Sequence, residues 1–182
     1  MSEKAAALCA EGLELMMQQR WFEAEDKMAA AVKEDPKSPE LWYNLGKCRY
    51  HQDLFMWAIE ALGQAIAIRG AVQTEEGEVE YPVRGKKYPE AEALLGNCYY
   101  ALGNTYGAQT HFRAAQHSDN TPEFNRECRT AEAQAELARG EYHSYHWSHY
   151  QLRLAEKDTW DGNESLRGKT LLVKAEGGLG DQ

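Results

Sequence analysis

Three histidines, His143, His146 and His149, recur at every third position near the C-terminus, interleaved with Tyr142, Tyr145, Trp147 and Tyr150. On a helix that spacing drifts across one face, whereas a zinc site wants His at i and i+4, or at i and i+3 with a carboxylate completing the set. The cluster is read as packing and hydrogen bonding by an aromatic face that seeks another surface, with a small metal-dependent enzyme as the outside alternative. Cys9, Cys48, Cys98 and Cys128 stand 30 to 50 residues apart without a Cys-x-x-Cys pair. That spacing argues against a zinc ribbon or a redox dithiol and for four separate buried thiols. A third pattern lies in the last 23 residues, where the apolar, β-rich run 170–173 follows Gly168 and Lys169 and precedes Gly177, Gly178, Gly180 and Asp181. A first parallel strand enters a glycine-rich turn in this way. The strand has no partner in this chain, so it is either an edge docked on helices or the opening element of a domain.

The charge balance narrows the partners. With 29 acidic against 20 basic residues the net charge is −9, which repels phosphate backbones and anionic lipids, so nucleic acid is not expected as a partner. Hydrophobic residues at 43% and charged residues at 27% are those of a globular chain, and 182 residues leave room for one domain or one domain plus a fragment. No apolar run approaches the roughly 18 residues needed to span a bilayer, and the start lacks the pattern of a signal peptide. A cytoplasmic location without membrane insertion is expected.

What positions these residues is a repeat. Gly12 and Gly46 are 34 apart, as are Ala24 and Ala58, and Ala31 and Ala65; Gly96, Ala108 and Ala115 repeat the trio after a further 50, which is 34 plus an insertion of 16. The intervening segments have helical periodicity, as in Leu41, Leu45, Cys48 and then Ala58, Leu62, Ala65, and predict helix pairs at 40–50 with 54–68 and at 90–102 with 105–117. Ser38-Pro39 and Thr121-Pro122 supply an N-cap acceptor and a first-turn proline, and Asp53 and Asn104 are candidate caps for second helices. Small residues are required where antiparallel helices cross closely.

This pattern resembles the tetratricopeptide repeat. Unit two supplies Trp42, Leu45, Gly46, Ala58, Leu62 and Ala65; unit three Leu95, Gly96, Tyr99, Ala108, Phe112 and Ala115; unit one Leu8, Gly12, Leu15, Ala24, Met28, Ala31 and Pro36. Three positions depart from it: Glu11 in place of the leucine, Arg49 in place of the aromatic, with Tyr50 beside it as a substitute, and Glu92 in place of the large residue. The resemblance implies a right-handed superhelical array whose concave face is lined by the first helix of each unit. It places Tyr43, Asn44, Lys47, Tyr50 and His51 on that face from unit two, and Asn97, Tyr100 and Ala101 from unit three. Rings that bury area at low entropy cost, beside amides that satisfy backbone groups, suit an extended peptide. The chaperone-tail clamp of some relatives is not implied, because unit one offers Leu13 and Met17 where a clamp needs polar and basic groups.

The insertion at about 72–88 carries Glu75, Glu76, Glu78 and Glu80, then Arg84, Lys86 and Lys87, with Val79, Tyr81 and Val83 alternating; a short hairpin and an extended flap both remain open. Beyond the repeats, Gly140, Tyr142, Trp147, Tyr150 and Arg153, then Trp160 and Gly162, then 168–172 and 176–181 resemble the junction at which bacterial tetratricopeptide arrays lead into a glycosyltransferase of the GT-B, heptosyltransferase-like type. That resemblance implies Asp181 as the general base of a complete transferase, and Gly177, Gly178 and Gly180 as a turn facing a phosphate or acceptor. A nucleotide-sugar is implied only for a full-length parent.

Taken together, an all-α array is expected over 1–156, with units at about 5–38, 39–71, 89–122 and a degenerate capping unit at 123–156. Residues 157–182 are expected to be a linker plus the first strand and glycine-rich turn of a truncated transferase-like domain. The expected function is a protein- or peptide-binding scaffold, the recognition module of a glycosyltransferase and non-catalytic by itself; the alternative is a stand-alone adaptor. Neither a cofactor nor a metal is expected.

Overall fold

The computed structural model describes residues 2–70, 72–73, 79–80, 88–116 and 120–141. They form seven α-helices: α1 (Glu3–Met17), α2 (Trp21–Glu34), α3 (Pro39–Tyr50), α4 (Phe55–Gly70), α5 (Pro89–Ala101), α6 (Thr105–Ala115) and α7 (Pro122–Ala138). Within the insertion, β1 (Val72–Gln73) pairs antiparallel with β2 (Val79–Glu80), Val72 opposite Glu80. Each helix packs on the next in chain order, and α4 meets α5 across the insertion. The stack is therefore continuous from α4 to α5.

Three glycines explain why the helix pairs close so tightly. A β-carbon on Gly12 would lie 2.8 Å from Met28 Cε, one on Gly46 2.7 Å from Leu62 Cγ, and one on Gly96 2.5 Å from Phe112 Cε1. In each unit a large side chain sixteen residues on fills the space that the missing side chain leaves. Met28 and Leu62 are fully buried and Phe112 nearly so, flanked by Ala24, Ala58 and Ala108, all at 0% exposure. Burying a side chain of this size contributes roughly 1.5–3 kcal/mol, and the small residues are what let the axes come close enough to collect it.

The turns repeat as faithfully as the core. Gln19 and Asp53 have φ of 59° and Gly103 a φ of 76°, all at the same place in their units. After each, an amide reaches back to the helix: Arg20 N–H to Leu15 O (2.9 Å), Leu54 N–H to Arg49 O (2.9 Å) and Asn104 N–H to Tyr99 O (2.8 Å). A left-handed residue after the helix end lets that amide satisfy a terminal carbonyl. Asp53, expected as a cap for the following helix, instead supplies this left-handed residue. Asn104 does cap, accepting from Gly107 N–H at 2.9 Å, and Thr121 accepts from Phe124 N–H at 3.3 Å. Ser38 occupies the N-cap position, but its hydroxyl is drawn to Glu40 Oε2 (3.1 Å) and accepts no backbone amide.

Each departure from the repeat pattern has a polar partner. Arg49 donates to Glu25 Oε1 (2.9 Å) and to Trp57 O (3.2 Å), tying α2, α3 and α4 together, while Gln52 donates to the other oxygen of Glu25 at 2.8 Å. Glu92 meets His111 Nδ1 at 2.7 Å, and the His111 ring stacks on Tyr99 with centroids 5.0 Å apart. Glu11 pairs with Lys27 at 2.6 Å on the surface, where such a bridge contributes little. Between α6 and α7 the contact turns polar. Glu132 and Glu136 are 8% and 2% exposed; Gln109 and Arg113 donate to Glu136, and Arg113 and Gln116 to Glu132. Buried carboxylates persist only when charge-assisted partners replace their water.

The first helix of every unit carries one buried thiol: Cys9 on α1, Cys48 on α3, Cys98 on α5 and Cys128 on α7, none of them disulfide-bonded. Burial pushes the thiols of Cys48 and Cys98 up to about 12 and that of Cys128 to about 11, so these thiols are structural and unreactive. The second helix expected for the fourth unit, the histidines 143, 146 and 149, and the whole of 157–182 lie outside the described residues.

Candidate functional site

The first helices α3 and α5 touch directly, and Asn44 on α3 is near enough to Cys9 on α1 to offset a little of the rise that burial gives its thiol, so the first helices line one side of the stack. On that side α1 presents Leu13 and Met17, which are 42% and 79% exposed. These are the residues one repeat before Lys47 and His51. Next comes α3, with Tyr43, Lys47 and Tyr50 half-buried, and then α5, with Asn97 half-buried, Tyr100 at 42% exposure and Ala101 exposed.

The polar groups are placed unevenly. Lys47 is half-buried and makes no hydrogen bond or ion pair among the described residues. Its charge is felt by neighbours: it adds to the burial that holds the His51 imidazole below its ordinary range, and it offsets a little of the rise at Cys48. Tyr43 packs against Tyr88 with ring centroids 5.2 Å apart, and burial, then the carboxylate of Glu90, raises its phenol. Tyr50 lies 5.9 Å from the Phe55 ring and edge-on to His51 at 5.4 Å, its phenol raised mainly by burial. Both phenols stay protonated at neutral pH and offer a donor. A cation without a counterion, one turn of α3 from Tyr43 and from Tyr50, attracts a carboxylate or a row of carbonyl oxygens.

The structure thus gathers Tyr43, Lys47, Tyr50, Asn97 and Tyr100 on one side and disperses two of the expected site residues. Asn44 lies towards Cys9 of α1, whose thiol it influences. His51, at the C-cap of α3, stacks on Trp21 at the start of α2 with centroids 3.9 Å apart, and lines a cleft with Gln19, Arg20, Phe22, Glu23, Gln52 and Asp53. Leu13 and Met17 are the additions. Their signal in the sequence was large apolar types at repeat positions occupied by polar residues in unit two. Asp181, Gly177, Gly178 and Gly180 lie outside the described residues.

No family model matches the chain, and no characterised protein matches it by sequence. Solved structures do. The type III secretion chaperone SycD of Yersinia enterocolitica, in complex with a peptide of the translocator YopD, superposes with a TM-score of 0.61 at 16% identity, covering 79% of this chain and 98% of that one. The first TPR of Spaghetti (RPAP3), bound to the HSP90 peptide SRMEEVD, gives 0.59 at 22% identity over 75% and 96%. MamA gives 0.65 at 19% identity over 82% and 76%. The fold is a tetratricopeptide-type array. Among the described residues no helix is long and apolar enough to cross a membrane.

Proposed function

We propose that this chain is a peptide-binding scaffold that holds an extended segment of a partner protein along α1, α3 and α5. The observation that carries the reading is Lys47, a half-buried residue whose charge has no partner among the described residues, on the same helix as the half-buried Tyr43 and Tyr50, with Tyr100 exposed on α5 and the apolar Leu13 and Met17 exposed on α1. With its stem packed among these rings, Lys47 carries a charge that no side chain among the described residues neutralises, and a carboxylate or carbonyl of a ligand can take that place. Exposed apolar and aromatic side chains beside it supply anchor contacts. Two of the similar structures, SycD and the RPAP3 domain, were solved with peptides, which supports the same use of the fold here. Crosslinking from a photoreactive residue at position 100 in the native cell identifies the partner. Tyr100→Ala and Lys47→Gln are then each expected to weaken binding of the captured segment about tenfold with the melting temperature unchanged. Unaltered affinity in both variants overturns the reading. Tyr43 is a poorer probe because it also packs on Tyr88.

The finer reading, a recognition module attached to a glycosyltransferase, is supported only by the sequence resemblance from Gly140 to Asp181. It predicts that the natural protein is heavier than 20.6 kDa by roughly one to two domains, with Asp181 and the turn of Gly177, Gly178 and Gly180 inside that transferase. An intact mass of 20.6 kDa from the native cell overturns it.

A further inference from the structure

The first helix of unit four is registered for a partner that α1 to α7 do not provide. The helices α3 and α5 bury their residues in one pattern, Leu41, Leu45, Gly46 and Cys48 on α3 and Ala91, Leu95, Gly96 and Cys98 on α5. On α7 the same intervals fall on Cys128, Glu132, Ala133 and Ala135, all of them buried. Ala133 therefore stands where the crossing glycines stand, 37 residues after Gly96 instead of 34. The turn that follows agrees. Seven residues past Gly12, Gly46 and Gly96 come the left-handed Gln19, Asp53 and Gly103, and seven past Ala133 comes Gly140 with a φ of 83°. At the next residue the amide of Glu141 donates to Glu136 O at 3.2 Å, as Arg20, Leu54 and Asn104 do to Leu15, Arg49 and Tyr99. In the first three units that turn delivers the chain straight into a second helix, at Trp21, Phe55 and Thr105.

Ala133 is 0% exposed, and α6 does not account for that. The helix on which α7 packs is α6: Ala131 and Ala135 meet the apolar cluster of Ala108 and Phe112, and Glu132 and Glu136 are reached by the long polar side chains of Gln109, Arg113 and Gln116. At 3.6 residues per turn, Ala133 is turned about 160° from both Ala131 and Ala135. In the other units this position meets the unit's own second helix, at Met28, Leu62 and Phe112, each sixteen residues on.

We propose that this face of α7 is the docking surface of the chain's own residues 142–155, which lie outside the described residues, and that they take it up in the register of the earlier second helices. Residue 142 follows the described Glu141 directly, so the segment starts beside the face that it covers. Counted from Ala133 as from the glycines, Tyr142 falls at the position of Trp21 and Phe55, which pack against the apolar clusters. Tyr145 falls at that of Ala24, Ala58 and Ala108, His149 at that of Met28, Leu62 and Phe112, and Leu152 at that of Ala31, Ala65 and Ala115. These four are three and four residues apart, which is one face of a helix. With alanine for glycine at 133 and tyrosine for alanine at 145, the two axes stand further apart than in units one to three. The same count separates the three histidines. His149 lies against Ala133, and His143 takes the position of the exposed Phe22, Met56 and Tyr106. His146 takes that of Glu25 and Gln109, which reach forward to the next first helix, Glu25 to Arg49 and Gln52 and Gln109 to Glu136.

Thiol labelling of the full chain tests this. The Ala133→Cys chain is expected to alkylate at position 133 about a hundredfold or more slowly than the Arg129→Cys chain does at position 129, an exposed position of the same helix, because a covered thiol reacts only when its cover opens. Adding Tyr145→Asp or His149→Asp to Ala133→Cys then speeds labelling there about tenfold or more, while Cys48 and Cys98 stay unlabelled and so show that the array is intact. Adding His146→Asp leaves position 133 slow. A second measurement decides where an aspartate unfolds the unit. Ala133→Cys with His149→Cys closes an intramolecular disulfide on mild oxidation, found by peptide mass, and Ala133→Cys with His146→Cys does not. The same pair of positions in unit two is near enough, since a β-carbon on Gly46 lies 2.7 Å from Leu62 Cγ. Fast labelling in the Ala133→Cys chain overturns the inference. So does slow labelling that Tyr145→Asp and His149→Asp both leave slow, which gives the face to another part of the chain or to a partner, and so does closure at 146 in preference to 149.

Discussion

Replacing Gly12, Gly46, Gly63 and Gly96 one at a time by alanine separates two opposing effects on the same fold. Every substitution lies inside a helix, where alanine is favoured over glycine by about 1 kcal/mol. The space above each differs. A β-carbon at Gly63 meets nothing within 4 Å, so Gly63→Ala is expected to stabilise by about 1 kcal/mol. At Gly12 the obstruction is the tip of Met28, Cε at 2.8 Å, and a flexible thioether can swing aside, so gain and loss nearly cancel. At Gly46 the branch point of Leu62 stands 2.7 Å away, and at Gly96 two atoms of the Phe112 ring stand at 2.5 and 2.6 Å. A rigid ring between α5 and α6 moves only if the helices part, and overpacking of that kind costs about 1–3 kcal/mol. The expected order of stability is Gly63→Ala, wild type and Gly12→Ala together, Gly46→Ala, then Gly96→Ala. Between the extremes the span is about 3 kcal/mol, or about 10 °C in melting temperature. Urea titration followed by circular dichroism measures it, with an unchanged slope showing that only stability moved. Equal effects at Gly63 and Gly96, or a Gly12 variant less stable than the Gly96 one, would refute the role given to the close crossings.

Three further outcomes follow from local geometry. Gly103→Ala, at φ 76°, loses about 1 kcal/mol, whereas Gln19→Gly and Asp53→Gly, at φ 59°, each gain a few tenths to about 1 kcal/mol; thermal melts of the three variants check the opposite signs. Glu136→Ala removes the acceptor of Gln109 and one of the two carboxylates on Arg113 at the α6–α7 contact and costs about 2 kcal/mol, while Glu136→Gln, which keeps an acceptor, costs less; urea titration ranks them. The His51 imidazole is held below 6.5 by burial against Trp21, then by Lys47, so the unfolded chain takes up this proton first as pH falls. Stability from this group is present above pH 6.5 and is lost as pH drops through the folded value. His51→Gln is expected to flatten that part of the stability profile, and a profile identical to wild type would show that the stacked ring does not couple to folding.

The repeat was legible because its requirements are local and strict: Gly12, Gly46 and Gly96 sit where the facing helix comes closest, and their spacing to the alanines carries the helix crossing. Thr121 and Asn104 were legible as caps for the same reason, each a short side chain acting on an amide three residues on. Asp53 was misjudged because its type suits both a cap and a left-handed turn, and only the equivalence with Gln19 and Gly103 decides between them. Arg49 and Glu92 looked like defects in the pattern, since their partners Glu25 and His111 stand 24 and 19 residues away and no local rule joins them. At the candidate site, the first-helix rule put Tyr43, Lys47 and Tyr50 on α3 and Asn97 and Tyr100 on α5, and their use as a groove remains the proposal. Leu13 and Met17 were read only as the reason a clamp is not implied, because apolar residues on a helix are ordinarily core, and their exposure depends on which face the neighbouring helix covers.

The arrangement of one buried thiol on the first helix of each unit makes the chain its own record of where it opens. Cys9, Cys48, Cys98 and Cys128 are chemically silent while their helices stay packed, and each becomes visible to an alkylating reagent only when its own unit comes apart. In an array held by nearest-neighbour contacts the ends fray before the middle. The order in which the four cysteines take up label, read by peptide mass without any engineered probe, therefore maps the opening free energy along the array, unit by unit.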